Sequence, residues 1–233
     1  MKTFDRDSIA VVIGANGAIG SAIAGLLEAA ATFRSVIRFS RRSVPALDLT
    51  DEASIAAAAQ HAVNAGQVRL VVDATGLLHQ GGIQPEKALC ALSIEAMEAN
   101  FRINAMGPAL LMKHFLKRMP REGKVAFATL SAKVGSIGDN RLGGWYSYRA
   151  SKAALNQFVR TAAIEWSRTH RQSICVALHP GTVESGLSGP FAKSGLTVQQ
   201  PDESAAAILA LIDRLTPEDT GSFLDRSGER LPW

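Results

Sequence analysis

Tyrosine is nearly missing from this 233-residue chain, which has only Tyr146 and Tyr148, and aromatic residues of all kinds make up 6% of it. Cysteine is equally scarce. Cys90 and Cys175 lack the paired spacing of a zinc or redox motif, so no metal site is expected, and both read as buried thiols. Apolar residues reach 47%, yet no run approaches the roughly 20 apolar residues of a membrane span. The opening Met-Lys-Thr-Phe-Asp-Arg-Asp lacks an apolar signal core. The expectation is a soluble, cytoplasmic protein that uses no membrane. An excess of one charge is also lacking: the net charge of +4 is dispersed, with no basic tail or aromatic-basic interleaving, which argues against nucleic acid as a partner. No composition shift, low-complexity linker or fixed-period repeat divides the chain, so residues 1–233 are expected to form one domain.

What the chain does have is alternation. Short apolar runs rich in branched residues (9–13, 35–39, 70–73, 124–128 and 174–178) are separated by Ala- and Leu-rich segments with helical spacing at 18–31, 51–65, 93–118, 147–168 and 202–215. Strand alternating with helix implies parallel strands with helical crossovers, and near-continuous apolar strands imply a sheet covered on both faces. The fold class is therefore α/β, a doubly wound parallel sheet flanked by helices. Stretches 76–92 and 181–200 fit neither pattern. Loops of that length are usually functional, and in such sheets ligands bind beyond the carboxyl ends of the strands.

Directly after the first strand comes Gly14-Ala-Asn16-Gly17-Ala18-Ile19-Gly20, opening the first helix. Glycines let the backbone turn sharply and approach a pyrophosphate, and free amides at a helix start meet its charge. That context makes the fold Rossmann-type and the ligand a dinucleotide. At the end of the second strand, where a carboxylate would bind the ribose hydroxyls of NAD(H), the chain has Ser40-Arg41-Arg42. Two guanidiniums can bind a 2′-phosphate, so NADP(H) is preferred and NAD(H) remains usable. Solvated surface arginines are the alternative.

Both tyrosines stand in Tyr146-Ser-Tyr148-Arg-Ala-Ser-Lys152. On a helix Tyr148 and Lys152 share a face one turn apart, whereas Tyr146 has no such partner. A phenol is a poor acid-base group at neutral pH, and a nearby cation makes its anion easier to reach, as proton exchange with an alcohol oxygen requires. Taken alone, the pair is equally a surface tyrosine on a lysine stem.

Together these residues resemble the short-chain dehydrogenase/reductase family, over nearly the whole chain and in the family's order. Gly14 to Gly20 looks like its nucleotide loop and Asp48-Leu49 like the pair that meets the adenine. Asn104, in Phe-Arg-Ile-Asn-Ala-Met-Gly-Pro, resembles the asparagine that holds a relay water. Ser131 is similar to the catalytic serine at the end of the family's fifth strand, and Tyr148 with Lys152 to its Tyr-x-x-x-Lys signature. Pro180-Gly181-Thr182-Val183 resembles the turn on the nicotinamide side. Loop texture and the ending Leu-Pro-Trp resemble the C-factor-like branch.

The resemblance implies an NADP(H)-dependent enzyme interconverting a carbonyl and an alcohol on a small neutral or apolar substrate. Tyr148 would exchange the proton, Ser131 hold the substrate oxygen, Lys152 bind the ribose and lower the phenol's pKa, and Asn104 position a water. It also implies a homodimer or homotetramer, with Phe101, Met106, Leu110 and Leu111 as core or as a subunit face. The branch leaves open a rival, a sensor that binds the dinucleotide without turnover. An extended-type epimerase or dehydratase would need a carboxyl-terminal substrate domain, for which the roughly 50 residues after Gly181 are too few.

Three departures from the family stand out. Gly17 comes one place early, with Ala18 where glycine is usual. The family's Asn-Asn-Ala-Gly is Asp73-Ala74-Thr75-Gly76, retaining Ala74 and Gly76 as expected cofactor contacts but losing both amides, whose bracing must come from elsewhere. The span from Ser131 to Tyr148 is long, leaving Ser136 as runner-up serine. His79, His114 and His179 read as structural, although His79 could touch substrate, and Trp145 and Leu187 to Phe191 could wall the pocket.

Overall fold

The computed structural model describes residues 1–79, 81–184, 186 and 198–233. Six parallel strands form one sheet in the order β2-β1-β3-β4-β5-β6: β1 (Ile9–Ile13), β2 (Ser35–Phe39), β3 (Val68–Asp73), β4 (Val125–Leu130), β5 (Ser173–His179) and β6 (Phe223–Asp225). The helices are α1 (Ala18–Ala30), α2 (Glu52–Ala65), α3 (Ile94–Phe101), α4 (Gly107–Phe115), α5 (Tyr146–Ser167) and α6 (Pro201–Arg214).

Alternation of side chains along each strand sends Ile9, Val11 and Ile13 to one face and Ala10 and Val12 to the other. On the first face they pack with Ile55 and Ala59 of α2, Leu111 and Phe115 of α4, and Leu155 and Val159 of α5. The second face is closed by Ile23 and Leu27 of α1 and Ile208 and Ile212 of α6. Both faces are covered, which is why β1 and β4 are buried along their whole length and read as continuous apolar runs. The edge strand β2 is largely open and keeps charged Arg38, which pairs with Glu28 of α1 at 2.5 Å. Strand β6 escapes sequence reading because three residues carry no periodicity. It pairs with β5 from Ala177↔Phe223 to His179↔Asp225.

The helical run expected over 93–118 is interrupted. Residues Arg102–Met106 form a π turn between α3 and α4, in which the Gly107 amide reaches back to the Arg102 carbonyl. Pro108 explains it: proline has no N–H to give the carbonyl of Asn104, four residues earlier, so the helix widens there. The turn lies at Asn104, one of the expected site residues.

Lys124, half-buried just before β4, closes the other end of the molecule. Its Nζ donates to the carbonyls of Ile212 (3.0 Å), Asp213 (2.6 Å) and Leu215 (2.8 Å), at the carboxyl end of α6 where carbonyls lack helical partners. It also lies 4.9 Å from the centre of the Phe4 ring. Lys124→Met keeps the stem and removes the donors. It should cost about 2 kcal/mol, a drop in melting temperature of about 4–8 °C, read by thermal unfolding, with dinucleotide binding unchanged.

Candidate active site

The site begins where β1 ends. Gly14 turns the chain at a φ of 79°, and its amide and that of Ala15 donate to the Phe39 carbonyl at 2.9 and 3.1 Å. A Cβ on Gly14 would meet the Ala74 backbone at 3.0 Å, so the loop after β1 lies against the end of β3. Gly17 caps α1 without a side-chain bond, and the first amide to find a partner in the helix is that of Ser21, on the Gly17 carbonyl at 2.8 Å. The displaced glycine therefore occupies the cap. The amides of Ala18, Ile19 and Gly20 fall in the helical turn that leaves donors open to an anion. Asn16 reaches sideways, its Nδ2 donating to Ser40 Oγ at 3.0 Å, and the same oxygen accepts the Arg42 amide at 3.1 Å. Arg41 and Arg42 extend from this turn into solvent.

Asp48 and Leu49, between β2 and α2, are placed differently from one another. The Asp48 carboxylate accepts from the Thr50 amide and hydroxyl at 2.8 and 2.7 Å, which holds it below the usual carboxylate range, with Arg41 nearby adding to the effect. Leu49 is buried against Gly107, where a Cβ would lie 2.7 Å from its own.

The bracing lost with the two asparagines is supplied by Asp73. This fully buried carboxylate ends β3, accepts the Thr129 hydroxyl of β4 at 2.7 Å, and holds the Thr75 hydroxyl and amide at 2.6 and 3.1 Å. Burial raises its pKa against the lowering effect of those bonds and of the Lys152 charge. Ala74 remains tied to β1 through the Ile13 carbonyl at 2.9 Å, while Gly76 is exposed.

Asn104 faces inward from the π turn. Its Oδ1 accepts the Leu77 amide and its Nδ2 donates to the Leu77 carbonyl, both at 2.7 Å, with further bonds of 3.2 Å to Asn100 Oδ1 and Ser151 Oγ. The side chain pairs with loop 76–92 as a strand would, so its N–H donors and one lone pair of its oxygen are committed to protein groups.

Ser131 follows β4, its amide on the Leu178 carbonyl of β5 at 2.7 Å. The buried face of α5 presents Tyr148, Lys152 and Asn156 at intervals of four toward the end of β4. Lys152 Nζ donates to the Leu130 carbonyl at 2.8 Å and lies 6.0 Å from the centre of the Tyr148 ring. Ser131 Oγ donates to Asn156 Oδ1 at 2.7 Å. Burial pulls Lys152 down to about 8 against the opposing charge of Asp73. Burial also raises the Tyr148 phenol, so at this separation desolvation outweighs the expected lowering by the lysine. Tyr146, one residue into α5, is 38% exposed and lies off this face.

The start of α5 has no cap of its own. Trp145 adopts a φ of 53° there and its side chain does not cap the helix; its ring stands edge-on to Tyr148 at 6.2 Å. Loop 76–92 supplies the cap instead: the Glu86 carbonyl accepts the Trp145 amide at 2.5 Å, and its buried carboxylate accepts the Ser147 amide at 3.2 Å and the Ser147 hydroxyl. Arg149 ties the preceding loop down through the carbonyls of Gly144 (2.9 Å), Val134 and Gly143 (both 3.1 Å). Sequence reasoning missed Glu86 and Asn156. The i, i+4, i+8 spacing of Tyr148, Lys152 and Asn156 was a signal for the second, whereas Glu86 acts across 61 residues of chain and had none.

After β5, Pro180 accepts Ser204 Oγ at 2.8 Å, Gly181 turns at a φ of 84°, and buried Val183 bridges to Gln199. Leu187 to Phe191, expected as pocket wall, lie outside the described residues. Ser136 is engaged elsewhere, with the Trp233 carbonyl at 3.3 Å and the Asp139 amide at 3.0 Å. His114 pairs with Glu52 at 2.8 Å, and His79 meets the Gly186 carbonyl at 2.8 Å. Burial holds His179 down to about 4. Cys175 is a buried thiol pushed up to about 12, but Cys90 is exposed, contrary to expectation, because the short 3₁₀ turn Leu89–Ala91 buries none of its residues. Among the described residues no cluster of His, Cys, Asp and Glu could hold a metal, and no helix is long and apolar enough to cross a membrane.

A glycine turn opening α1, with buried Ser131, Tyr148 and Lys152 at the carboxyl edge of a doubly wound sheet, is the pattern of the dinucleotide oxidoreductase class. Comparison narrows it. The family model described as enoyl-(acyl carrier protein) reductase matches residues 14–223. The chain is 36% identical to C-signal of Myxococcus xanthus over 137 residues, 59% of this chain and 78% of that one. It is 29% identical to 1-hydroxy-2-glutathionyl-2-methyl-3-butene dehydrogenase of Rhodococcus sp. strain AD45, over 97% of this chain and all of the other. Among solved structures, NADPH-bound carbonyl reductase from chicken fatty liver superposes with a TM-score of 0.82 at 26% identity, covering 99% of this chain and 100% of that one. The chain belongs to the short-chain dehydrogenase/reductase family and is an oxidoreductase of that family.

Proposed function

We propose that this enzyme interconverts a carbonyl and an alcohol on a small neutral or apolar substrate, with NADP(H) preferred over NAD(H). The observation that carries the reading is the face of α5 that holds Tyr148 and Lys152 against Leu130 and, through Asn156, against Ser131, at the sheet edge that also bears the Gly14–Gly20 turn. The residues fit a dinucleotide: a turn in which Gly14 and Gly20 approach neighbouring backbone too closely for a Cβ, open helix amides, and two exposed guanidiniums with no carboxylate in their turn. Gly14, Asn16, Gly17, Ile19 and Gly20 would hold the pyrophosphate, and Ser40, Arg41 and Arg42 a 2′-phosphate. Asp48 and Leu49 would border the adenine, Ala74, Gly76 and Lys152 the ribose, and Pro180, Gly181 and Val183 the nicotinamide. When bound, the dinucleotide gives or takes the hydride.

The chain's own work is proton handling and orientation. Tyr148 passes its phenolic proton to the substrate oxygen, and Ser131 holds that oxygen. Lys152 stabilises the resulting phenolate, whose burial makes any neighbouring cation count for more. Asn104 would serve a relay water with its main-chain carbonyl, which Pro108 leaves without its helical donor, because its side chain is committed to Leu77. Trp145, edge-on to Tyr148, would give the pocket an apolar wall.

The same reading takes residues 1–233 as one dinucleotide-binding domain with its substrate loop at about 181–200, working in the cytoplasm as a homodimer or homotetramer. Exposed Met106, Phe158 and Ile164 support self-association. The likeness to C-signal favours a second reading, binding without turnover. The deciding experiment is oxidation of NADPH, beside NADH, against a panel of aldehydes, ketones and quinones. Turnover supports the enzyme reading, and tight NADPH binding with no turnover supports the sensor. Replacing Arg41 and Arg42 together by Ala should weaken NADPH binding about 30- to 100-fold while changing NADH binding less than about threefold, measured by cofactor fluorescence. Equal losses for both would refute the 2′-phosphate site.

A further inference from the structure

Asn156 touches the proposed machinery from behind. It lies on the buried face of α5, one turn beyond Lys152, is 3% exposed, and has Leu155 and Val159 as neighbours in the apolar core. Its Oδ1 takes the only proton of the Ser131 hydroxyl at 2.7 Å, whereas its Nδ2 is buried without a hydrogen-bond partner. An unpaired buried amide donor is unfavourable, so packing alone would be better served by leucine, which has nearly the same size. The bond to Ser131 is what the amide contributes. A serine hydroxyl otherwise samples three rotamers of similar energy, and a catalytic group misplaced by an ångström can lose about a hundredfold in rate.

We propose that Asn156 is the positioning residue of Ser131: its amide holds the serine oxygen in one orientation, accepting the hydroxyl proton on Oδ1 before substrate binds and, by turning the unpartnered Nδ2 onto Oγ, releasing that proton to the substrate oxygen. The inference rests on the carbonyl–alcohol reading. It predicts that Asn156→Leu lowers kcat about 10- to 100-fold on whichever carbonyl of the panel the parent reduces fastest, with NADPH affinity within about twofold of the parent. Asn156→Asp, which keeps an accepting oxygen but has no N–H to give Ser131 Oγ and places a carboxyl in the buried site, should be as slow as Asn156→Leu. A purely structural role would lower the melting temperature and leave the kcat of the folded enzyme intact. Thermal unfolding is therefore measured for each variant, and Asn156→Ala replaces Asn156→Leu if the latter does not fold.

The outcomes separate. A parent that reduces nothing on the panel overturns the proposed function and this inference with it. An active parent matched by a folded Asn156→Leu overturns the inference alone, as does an Asn156→Asp that retains the parent kcat. Loss of kcat in both folded variants, with NADPH affinity retained, supports it.

Discussion

Tyr148→Phe should abolish turnover, by about 10³-fold or more, and leave NADPH binding within about twofold of the parent. The substitution removes one oxygen and keeps the ring, so the edge-on contact with Trp145 and the packing on α5 persist. What disappears is the only tyrosine hydroxyl on the face of α5 that carries Lys152, since Tyr146 is off that face. Positioned acid-base groups contribute about 10² to 10⁴ in rate, and no buried histidine stands ready to replace this one. The three histidines considered are tied to Glu52, to the Gly186 carbonyl, or, for His179, held neutral by burial. Single-turnover kinetics on the best panel substrate, beside fluorescence titration with NADPH, checks both halves. Comparable turnover in the variant would remove Tyr148 from the mechanism, and lost NADPH binding would make its role one of architecture.

That phenol was visible in the sequence because its partner is four residues away, and the nucleotide turn because its glycines are separated by three. Local spacing is legible when a helix or turn converts it directly into geometry. Strands β1, β3, β4 and β5 were legible for a related reason: sheets buried on both faces leave nearly continuous apolar runs. What was hidden acts at a distance. Asp73 looked like a damaged asparagine motif, and only the pairing of β3 with β4 puts the Thr129 hydroxyl beside its carboxylate. Glu86 lies in a loop without pattern, yet it closes the open end of the helix that bears Tyr148. The expected lowering of the phenol's pKa was a one-dimensional inference as well. It counted the lysine's charge and omitted the burial that the fold imposes on both groups. Asn104 shows the mixed case: its place was foreseen, and its widened turn follows from Pro108, but the commitment of its side chain to Leu77 depends on a contact 27 residues away.

Gly20→Ala should reduce dinucleotide affinity about a hundredfold or more, although alanine is the better helix former. Within a helix interior the exchange normally stabilises by about 1 kcal/mol. Gly25, in the same helix, has open space around its missing Cβ, and Gly25→Ala should show that ordinary gain in thermal unfolding with binding unchanged. At Gly20 a Cβ would lie 2.3 Å from the Gly14 carbonyl oxygen and 2.9 Å from its carbon. These are backbone atoms, and Gly14 cannot yield: its amide is bonded to the Phe39 carbonyl at 2.9 Å and it packs against the Ala74 backbone. The helix must therefore retreat by about an ångström, more than close-packed surroundings absorb without loss. Its first-turn amides retreat with it. Charge-assisted bonds to a phosphate weaken steeply over that distance, and several are lost together, so the clash outweighs the helical preference. Affinity measured by NADPH fluorescence for the two alanine variants side by side separates a general effect of stiffening α1 from the close approach at Gly14. Equal binding by Gly20→Ala and Gly25→Ala would mean that the turn before α1 does not cradle the cofactor.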